Sequence, residues 1–390
     1  MTATVMLTTS TAGIFTTTTN DPTPDLGDGT SGDGNVFHGT FVAGVAAAVS
    51  DNHEGVVGAS WNSQIMPLKV FTNTRGAPAT AIAEAIRYAI NHKANIINMS
   101  FGSPIPTRII SSAIEEASAK GIILVAAAGN NNSNKHSYPA CYSGVISVGG
   151  SGNGSVLSGG SASHMSARAS FTEFGPKAVD VVAAAVDIVS TAVLSMTDQT
   201  NGEGKAGSFT YFYGNGTSFA SPLVAGEAAL LLARAEQLGL GDSISAASIK
   251  SVILRATTPL GEDPTTLPNA GANWAGHGRV NFLAAVQQIG PDLVTAPNAP
   301  IKLSAHIADP GVVELNWADG SDNNQGFIIE RAQKEGSSVG SFEDIAEVDR
   351  NSTSYTDSSV ASATTYVYYV AAFKVAATNS THRAATVTTP

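Results

Sequence analysis

One cysteine, Cys141, stands among 390 residues, so no internal disulfide framework braces this chain. No C-x-x-C or clustered Cys/His pattern points to structural zinc either. Charge is sparse, at 13% of residues, and its balance is acidic, with 20 Lys and Arg against 31 Asp and Glu. The basic residues are scattered, which argues against nucleic acid as a partner. No apolar run approaches the ~20 residues that a membrane-spanning helix needs. From Met1 to Asn20 there is no Lys or Arg at all, while ten residues are Thr or Ser. With only Val5-Met6-Leu7 as an apolar patch, no signal peptide is visible there. What is plentiful is apolar and small: 43% of the chain is hydrophobic and 39 residues are glycine. That composition belongs to a globular chain, and its length suggests two or three domains.

Asn20 to Val36 is rich in Gly, Asp, Pro and Thr and is expected as a surface loop. His38 then opens a small-residue helix running to Val49. Gln64 to Phe71 is predicted as a strand, with Pro67 out of place in it. Apolar spacing predicts amphipathic helices over Ala79 to His92 and Ile109 to Lys120. Asn95 to Phe101, Ile122 to Ala127 and Val145 to Val148 are predicted as strands between and after them. Ser243 to Ala256 and Asn281 to Gln288 are expected as further helices. Strands alternating with helices imply an α/β fold, a parallel sheet with helices on both faces. A proline-bearing linker, 291–300, follows. Beyond it, Val312 to Trp317, Gly326 to Arg331 and Thr365 to Phe373 are short, alternating, aromatic-bearing strands, so 301–390 is expected to be an all-β sandwich.

The chemistry is concentrated in three stretches. In Asn215-Gly216-Thr217-Ser218-Phe219-Ala220-Ser221-Pro222, a hydroxyl sits among small residues that let a substrate backbone come close. The apolar run from Gly226 to Ala235 behind it is expected as a buried helix. A serine in the first turn of such a helix lies beside backbone N–H groups without partners, which favour developing negative charge. His38, in His38-Gly39-Thr40-Phe41-Val42-Ala43-Gly44, offers a base for that hydroxyl. Asn130, closing Val125-Ala126-Ala127-Ala128-Gly129-Asn130, offers a carboxamide donor for an oxyanion. Taken singly, each has a plainer reading: a loop histidine, a helix cap, a turn asparagine.

Taken together and in this order, the three motifs resemble the subtilisin-like serine peptidases. Gly55 to Ala59, Ile97 to Gly102, Tyr138-Pro139-Ala140, Ala169 to Gly175 and Gly278 to Asn281 match as well. The resemblance extends from about Asn20 to Gly290, leaving 1–19 as an atypical N-terminal segment and 20–290 as the peptidase domain. It implies that Ser218 attacks the scissile carbonyl, that His38 serves as general base and then acid, and that Asn130 holds the oxyanion. It further implies that Ser100, Phe101 and Gly102 form an edge strand pairing with an extended polypeptide substrate. Ala127, Ala128 and Gly129 would be the facing wall of the pocket. Phe101 suggests apolar preference there. No cofactor is expected beyond Ca²⁺ as a structural ion, for which the Leu26 to Gly34 loop shows no recognisable ligand spacing. The family also implies a secreted or cell-surface protein. The C-terminal segment resembles a fibronectin type III module, of the kind appended for surface or polymer attachment or as a spacer.

One element of the family is missing. An aspartate in an Asp-Ser/Thr-Gly turn, following a hydrophobic strand, orients the histidine and stabilises its charged form. Here Thr11-Ala12-Gly13-Ile14 is the nearest echo, with Thr11 in the aspartate's place. We prefer a second alignment, in which Asn20 to Asp25 matches the acidic loop before the histidine and the aspartate strand lies upstream of Met1. Asp21, Asp25, Asp28 and Asp33 then read as solvated or cation-binding. The expectation is a peptidase with impaired activity, or a catalytically dead relative serving as a protein- or surface-binding module. A rival triad of Ser218, Asp263 and His277, in the chain order of α/β-hydrolases, would require a sheet strand directly before Gly216.

Overall fold

The computed structural model describes residues 4–14, 38–71, 77–152, 166–193, 209–260, 274–295, 297–321, 324–374, 377–378 and 383–390. Two compact units divide the chain, Met1–Ile289 and Gly290–Pro390.

The first unit is built on an eight-stranded sheet. Six of its strands are β1 (Thr4–Ile14), β2 (Gln64–Lys69), β3 (Ile96–Met99), β4 (Ile123–Ala127), β5 (Val145–Ser151) and β6 (Val181–Ala184). In the order β2-β1-β3-β4-β5-β6 every neighbouring pair is parallel. Strands β3, β4 and nearly all of β5 and β6 are buried on both faces, as continuous apolar runs between two helix layers must be. Helices α1 (His38–Ala47), α2 (Ala79–Asn91) and α3 (Arg108–Ala119) alternate with these strands. Helices α2 and α3 each bury one apolar stripe: Ile82, Ala85, Ile86 and Ala89 on the first, Ala113, Ile114 and Ala117 on the second. Both stripes join a core with Ile97, Met99, Leu124 and Ala126 of the sheet.

Two expectations needed revision. The segment set apart as 1–19 contributes β1 to the interior of this sheet, with Val5, Met6, Leu7 and Thr8 paired to Ile96, Ile97, Asn98 and Met99. Its threonines are β-branched and suit a strand as well as valine does, although they carry no hydrophobic signal. Ser100–Gly102, expected as an edge strand, lie past the end of β3, outside the sheet. Strand β3 has neighbours on both sides and ends at Met99; beyond it the Ser100 carbonyl accepts the Ser218 hydroxyl and Ser103 is bridged to Tyr138. Pro67 is accommodated because β2 ends the sheet, where one side of the strand has no ladder to donate to.

A hairpin of β7 (Ile188–Val193) and β8 (Phe209–Gly214) stands apart as a two-stranded antiparallel sheet. Helix α4 (Thr217–Gln237) follows it and packs against β3, β4, β5 and β6. Helix α5 is Ala246–Arg255, started by Ser245, whose hydroxyl accepts the Ser248 N–H. Strands β9 (Thr257–Thr258) and β10 (Arg279–Val280) finish the sheet, and Asn281 caps α6 (Phe282–Gln288). A strand does precede Gly216, but it belongs to the hairpin rather than the parallel sheet, so the nucleophile elbow of the rival reading is not formed. Asp263 of that reading lies outside the described residues.

After a single 3₁₀ turn at Pro291–Leu293, the regular elements among the described residues of the second unit are all strands. Strands β11 (Ile301–Asp309), β12 (Val312–Ala318) and β16 (Ser354–Asp357) make one antiparallel sheet. Strands β13 (Gly326–Glu335), β14 (Ser338–Val339), β15 (Glu343–Asp349), β17 (Thr365–Lys374), β18 (Ala377–Thr378) and β19 (Arg383–Thr388) make another. Alternation along β12 buries Val313, Leu315 and Trp317 against Phe327, Ile329, Tyr366, Tyr368 and Val370 of the second sheet. Beside this core the Asp357 carboxylate accepts from Arg331 at 2.9 Å and from the Tyr368 hydroxyl at 2.8 Å. Burial and the adjacent carboxylate both push the Tyr368 phenol upward, so it stays a donor.

Candidate active site

Ser218 is the second residue of α4, and its surroundings follow from three small features of the sequence. Gly216, before the helix, has φ +153°, a backbone conformation L side chains rarely adopt, so the turn into α4 needs glycine. The first turn leaves the Ser218 N–H without an intrahelical acceptor. Pro222, four residues on, has no N–H to give the Ser218 carbonyl, and that carbonyl accepts from the Ser100 hydroxyl instead, at 2.7 Å. Ser100 Oγ also meets Ser221 Oγ at 2.9 Å and accepts from Asn98 Nδ2 at 2.9 Å. The start of α4 is therefore tied by side chains to the end of β3.

Asn130 follows β4 at the carboxyl end of the sheet, where ligand-binding loops of parallel sheets lie. Its Oδ1 accepts two hydrogen bonds of 2.9 Å from Thr217, one from the backbone N–H and one from the hydroxyl. With the oxygen so engaged, the Nδ2 end of the amide is left to donate elsewhere. Thr217 Oγ1 in turn accepts from the Gly129 N–H at 3.2 Å. Thr217 was not singled out from the sequence, although it lies next to Ser218 and is fully buried.

His38 opens α1, which is held to β7 through the Ser190 hydroxyl on the Phe41 carbonyl and the Thr191 hydroxyl on the Thr40 carbonyl. The His38 ring lies 5.6 Å from the Phe219 ring, and Phe219 lies 4.2 Å from Phe41. Phe219, directly after the serine, thus brings the first turns of α1 and α4 together. The Ser218 hydroxyl itself donates to the Ser100 carbonyl at 3.2 Å, so in this state it is not bonded to the imidazole. Burial lowers the His38 pKa to about 4, which leaves the ring neutral and able to accept a proton at pH 7. Acylation through this histidine is therefore expected to have its acid limb near pH 4 rather than near 6.5, measured as the rate of fluorophosphonate labelling against pH.

A cleft of about 550 Å³ opens at this point. Ser218, Thr217 and Asn130 line it, with Phe101 and Gly102 from one side and Ala127 and Gly129 from the other. Of the residues expected to bind substrate, Ser100 and Ala128 are buried behind it. Polar groups also line it, among them Ser133, Ser137, Lys135 and Glu173, so the wall is more polar than Phe101 alone suggested. His277 does not line it; its backbone N–H donates to the Asp180 carbonyl. Among the described residues no group of three or more His, Cys, Asp or Glu side chains could hold a metal, and the Leu26 to Gly34 loop lies outside them. No helix among them is long and apolar enough to cross a membrane.

A parallel sheet that carries a helix-borne serine and a carboxamide at one cleft, with a histidine packed beside the serine's helix on Phe219, defines a hydrolase class, and comparison places the chain within it. The profile of the subtilase family matches residues 6–278, so the match begins inside β1. Subtilisin DY of Bacillus licheniformis is 34% identical over 265 residues, 67% of this chain and 81% of that protein. Thermitase of Thermoactinomyces vulgaris is 32% identical over 268 residues, 69% of this chain and 78% of that protein. A thermophilic serine proteinase of Bacillus sp. strain AK1 is 39% identical over 194 residues, which span 42% of its length. A solved protease structure from Pseudoalteromonas arctica PAMC 21717 shares the fold with a TM-score of 0.56 at 24% identity, over 73% of this chain and 89% of that one. The chain belongs to the subtilase family of serine peptidases.

Proposed function

We propose that this chain is a serine endopeptidase that cleaves polypeptides through an acyl-enzyme on Ser218, with turnover impaired because the strand before His38 offers no carboxylate. The observation that carries the reading is the bonding of Asn130 Oδ1 to Thr217, which leaves the amide nitrogen of a cleft-lining residue as the end that can donate, beside the N-terminus of the helix bearing Ser218. In the first step Ser218 Oγ attacks the scissile carbonyl while its proton passes to His38. The Ser218 N–H and Asn130 Nδ2 then hold the oxyanion. In the second step the His38 imidazolium protonates the leaving amine, and water attacks the acyl-enzyme by the same route. Ser100–Gly102, beyond the end of β3, would take the substrate backbone, with Ala127–Gly129 opposite.

Impairment follows from β1. Residues Thr4–Ile14 form a strand in the sheet and contain no Asp or Glu. Loss of the acid in a triad of this kind costs roughly 10⁴-fold in turnover and leaves residual catalysis. The second unit we read as a fibronectin type III-like module serving as spacer or attachment to a surface or polymer. Secretion and a structural Ca²⁺ are assigned by analogy with the family alone.

Cleavage of an unstructured protein by the parent chain, Ser218→Ala and His38→Ala tests the reading. Slow cleavage by the parent, abolished in both variants, is expected. Equal background rates in all three would make the chain a non-catalytic binding module.

A further inference from the structure

The loop that carries Asn130 is held from below by a segment whose role the reaction above does not use. Backbone bonds join the two: Asn132 N–H to the Phe171 carbonyl at 2.7 Å, Glu173 N–H to the Gly129 carbonyl at 3.2 Å, and Phe174 N–H to the Ser133 carbonyl at 3.0 Å. Arg168, itself buried, donates to Asn132 Oδ1 at 2.8 Å and stacks 4.9 Å from the Phe174 ring centroid. At the centre is the Glu173 side chain, 2% exposed. Its Oε2 accepts the Asn131 N–H at 3.1 Å, and its Oε1 accepts Asn131 Nδ2 at 3.0 Å and the Ser133 hydroxyl at 3.4 Å. Glycine is required above it: Gly129 has φ +117°, and a Cβ there would come within 2.8 Å of the carboxyl carbon.

We propose that Glu173 is a positioning residue for the oxyanion site, fixing Asn131 and Gly129 on either side of Asn130 so that the Asn130 amide is preset before substrate arrives. Thr217 sets the rotation of that amide from the helix side; Glu173 sets the height of its backbone from the loop side. A buried carboxylate is costly unless its acceptors are filled, and here backbone, amide and hydroxyl donors of a single loop fill them. The carboxylate thus holds the loop after the donor, at Asn131 and Ser133, while the Glu173 backbone N–H holds Gly129 before it. A packing residue would not need such an acceptor. Oxyanion donors act only within a few tenths of an ångström of the right place, so loosening the loop affects the transition state more than the bound substrate.

This inference rests on Asn130 being the oxyanion donor, and its test has one arm that does not need activity. In Glu173→Ala the Asn131 amide is expected to exchange its hydrogen at least about tenfold faster, while Val125 and Ala126 in β4 exchange as in the parent. Glu173→Gln keeps one oxygen acceptor and is expected to fall between the two. In kinetics, kcat is expected to drop about tenfold to hundredfold in Glu173→Ala with KM nearly unchanged. An unchanged Asn131 exchange rate would overturn the proposal whatever the activity, and so would an effect confined to KM. If the parent shows no Ser218-dependent turnover, the peptidase reading fails on its own, and Asn131 exchange still decides whether Glu173 fixes the loop.

Discussion

Placing an aspartate at Thr9 is expected to raise turnover over the parent chain by up to about 10⁴-fold. Strand β1 runs parallel to β3 with Thr8 opposite Met99. That pair ends the ladder, so Thr9 is the first residue of β1 beyond the end of β3, where Ser100 follows with its carbonyl accepting the Ser218 hydroxyl. Thr9-Ser10 also follows the apolar Val5-Met6-Leu7, as an Asp-Ser pair follows the hydrophobic strand in the family. Thr11→Asp, the position suggested by Thr11-Ala12-Gly13, is the companion variant and tests the other register. A carboxylate that reaches His38 must also raise its pKa, because the charged ring is favoured beside it. The acid limb of the rate should then move up from about 4 in the variant that gains activity. If both variants fold and neither gains turnover, the missing acid is not what limits this enzyme.

Replacing Glu227 by glutamine is expected to stabilise the first unit by about 3 kcal/mol at pH 7 and about 5 kcal/mol above pH 9, with almost no effect at pH 4. Glu227 lies on α4, fully buried, and neither carboxyl oxygen has a hydrogen-bond partner. Burial raises its pKa from 4.5 to about 8. The sign follows from proton linkage. Below the unfolded value both states are neutral and nothing is lost. As pH rises from 4.5, the unfolded chain ionises and the folded one does not, so folding is penalised increasingly up to the folded pKa and by a constant amount beyond it. Glutamine keeps the shape and the unsatisfied polar end, so the difference isolates the charge. Chemical denaturation of both chains at pH 4, 7 and 9 measures it. A pH-independent difference would mean that the carboxylate finds a partner.

Much of this was legible in the sequence because the signals were local. Apolar spacing on α2 and α3, and the continuous runs of β3 and β4, give strand and helix within a residue or two of the observed ends, while β5 runs three residues further than its apolar run. The motif residues Ser218, Asn130, Phe101, Gly102, Ala127 and Gly129 meet at one cleft, and His38 stands beside it through Phe219. What was not legible depends on long-range pairing. Strand β1 is rich in threonine, and its place between β2 and β3 is set by neighbours more than fifty residues away. Thr217 and Glu173 are ordinary residues in sequence. They matter because the fold closes distances of 87 and 42 residues to bring them onto Asn130 and Asn131.

The most direct measurement is to treat the chain with a fluorophosphonate and locate the adduct by peptide mass spectrometry. Modification on Ser218 alone, suppressed in His38→Ala and slowed in Asn130→Ala, is the expected result. An unmodified chain, or an adduct that forms equally well without His38, would contradict the assignment of these three residues to one reacting centre.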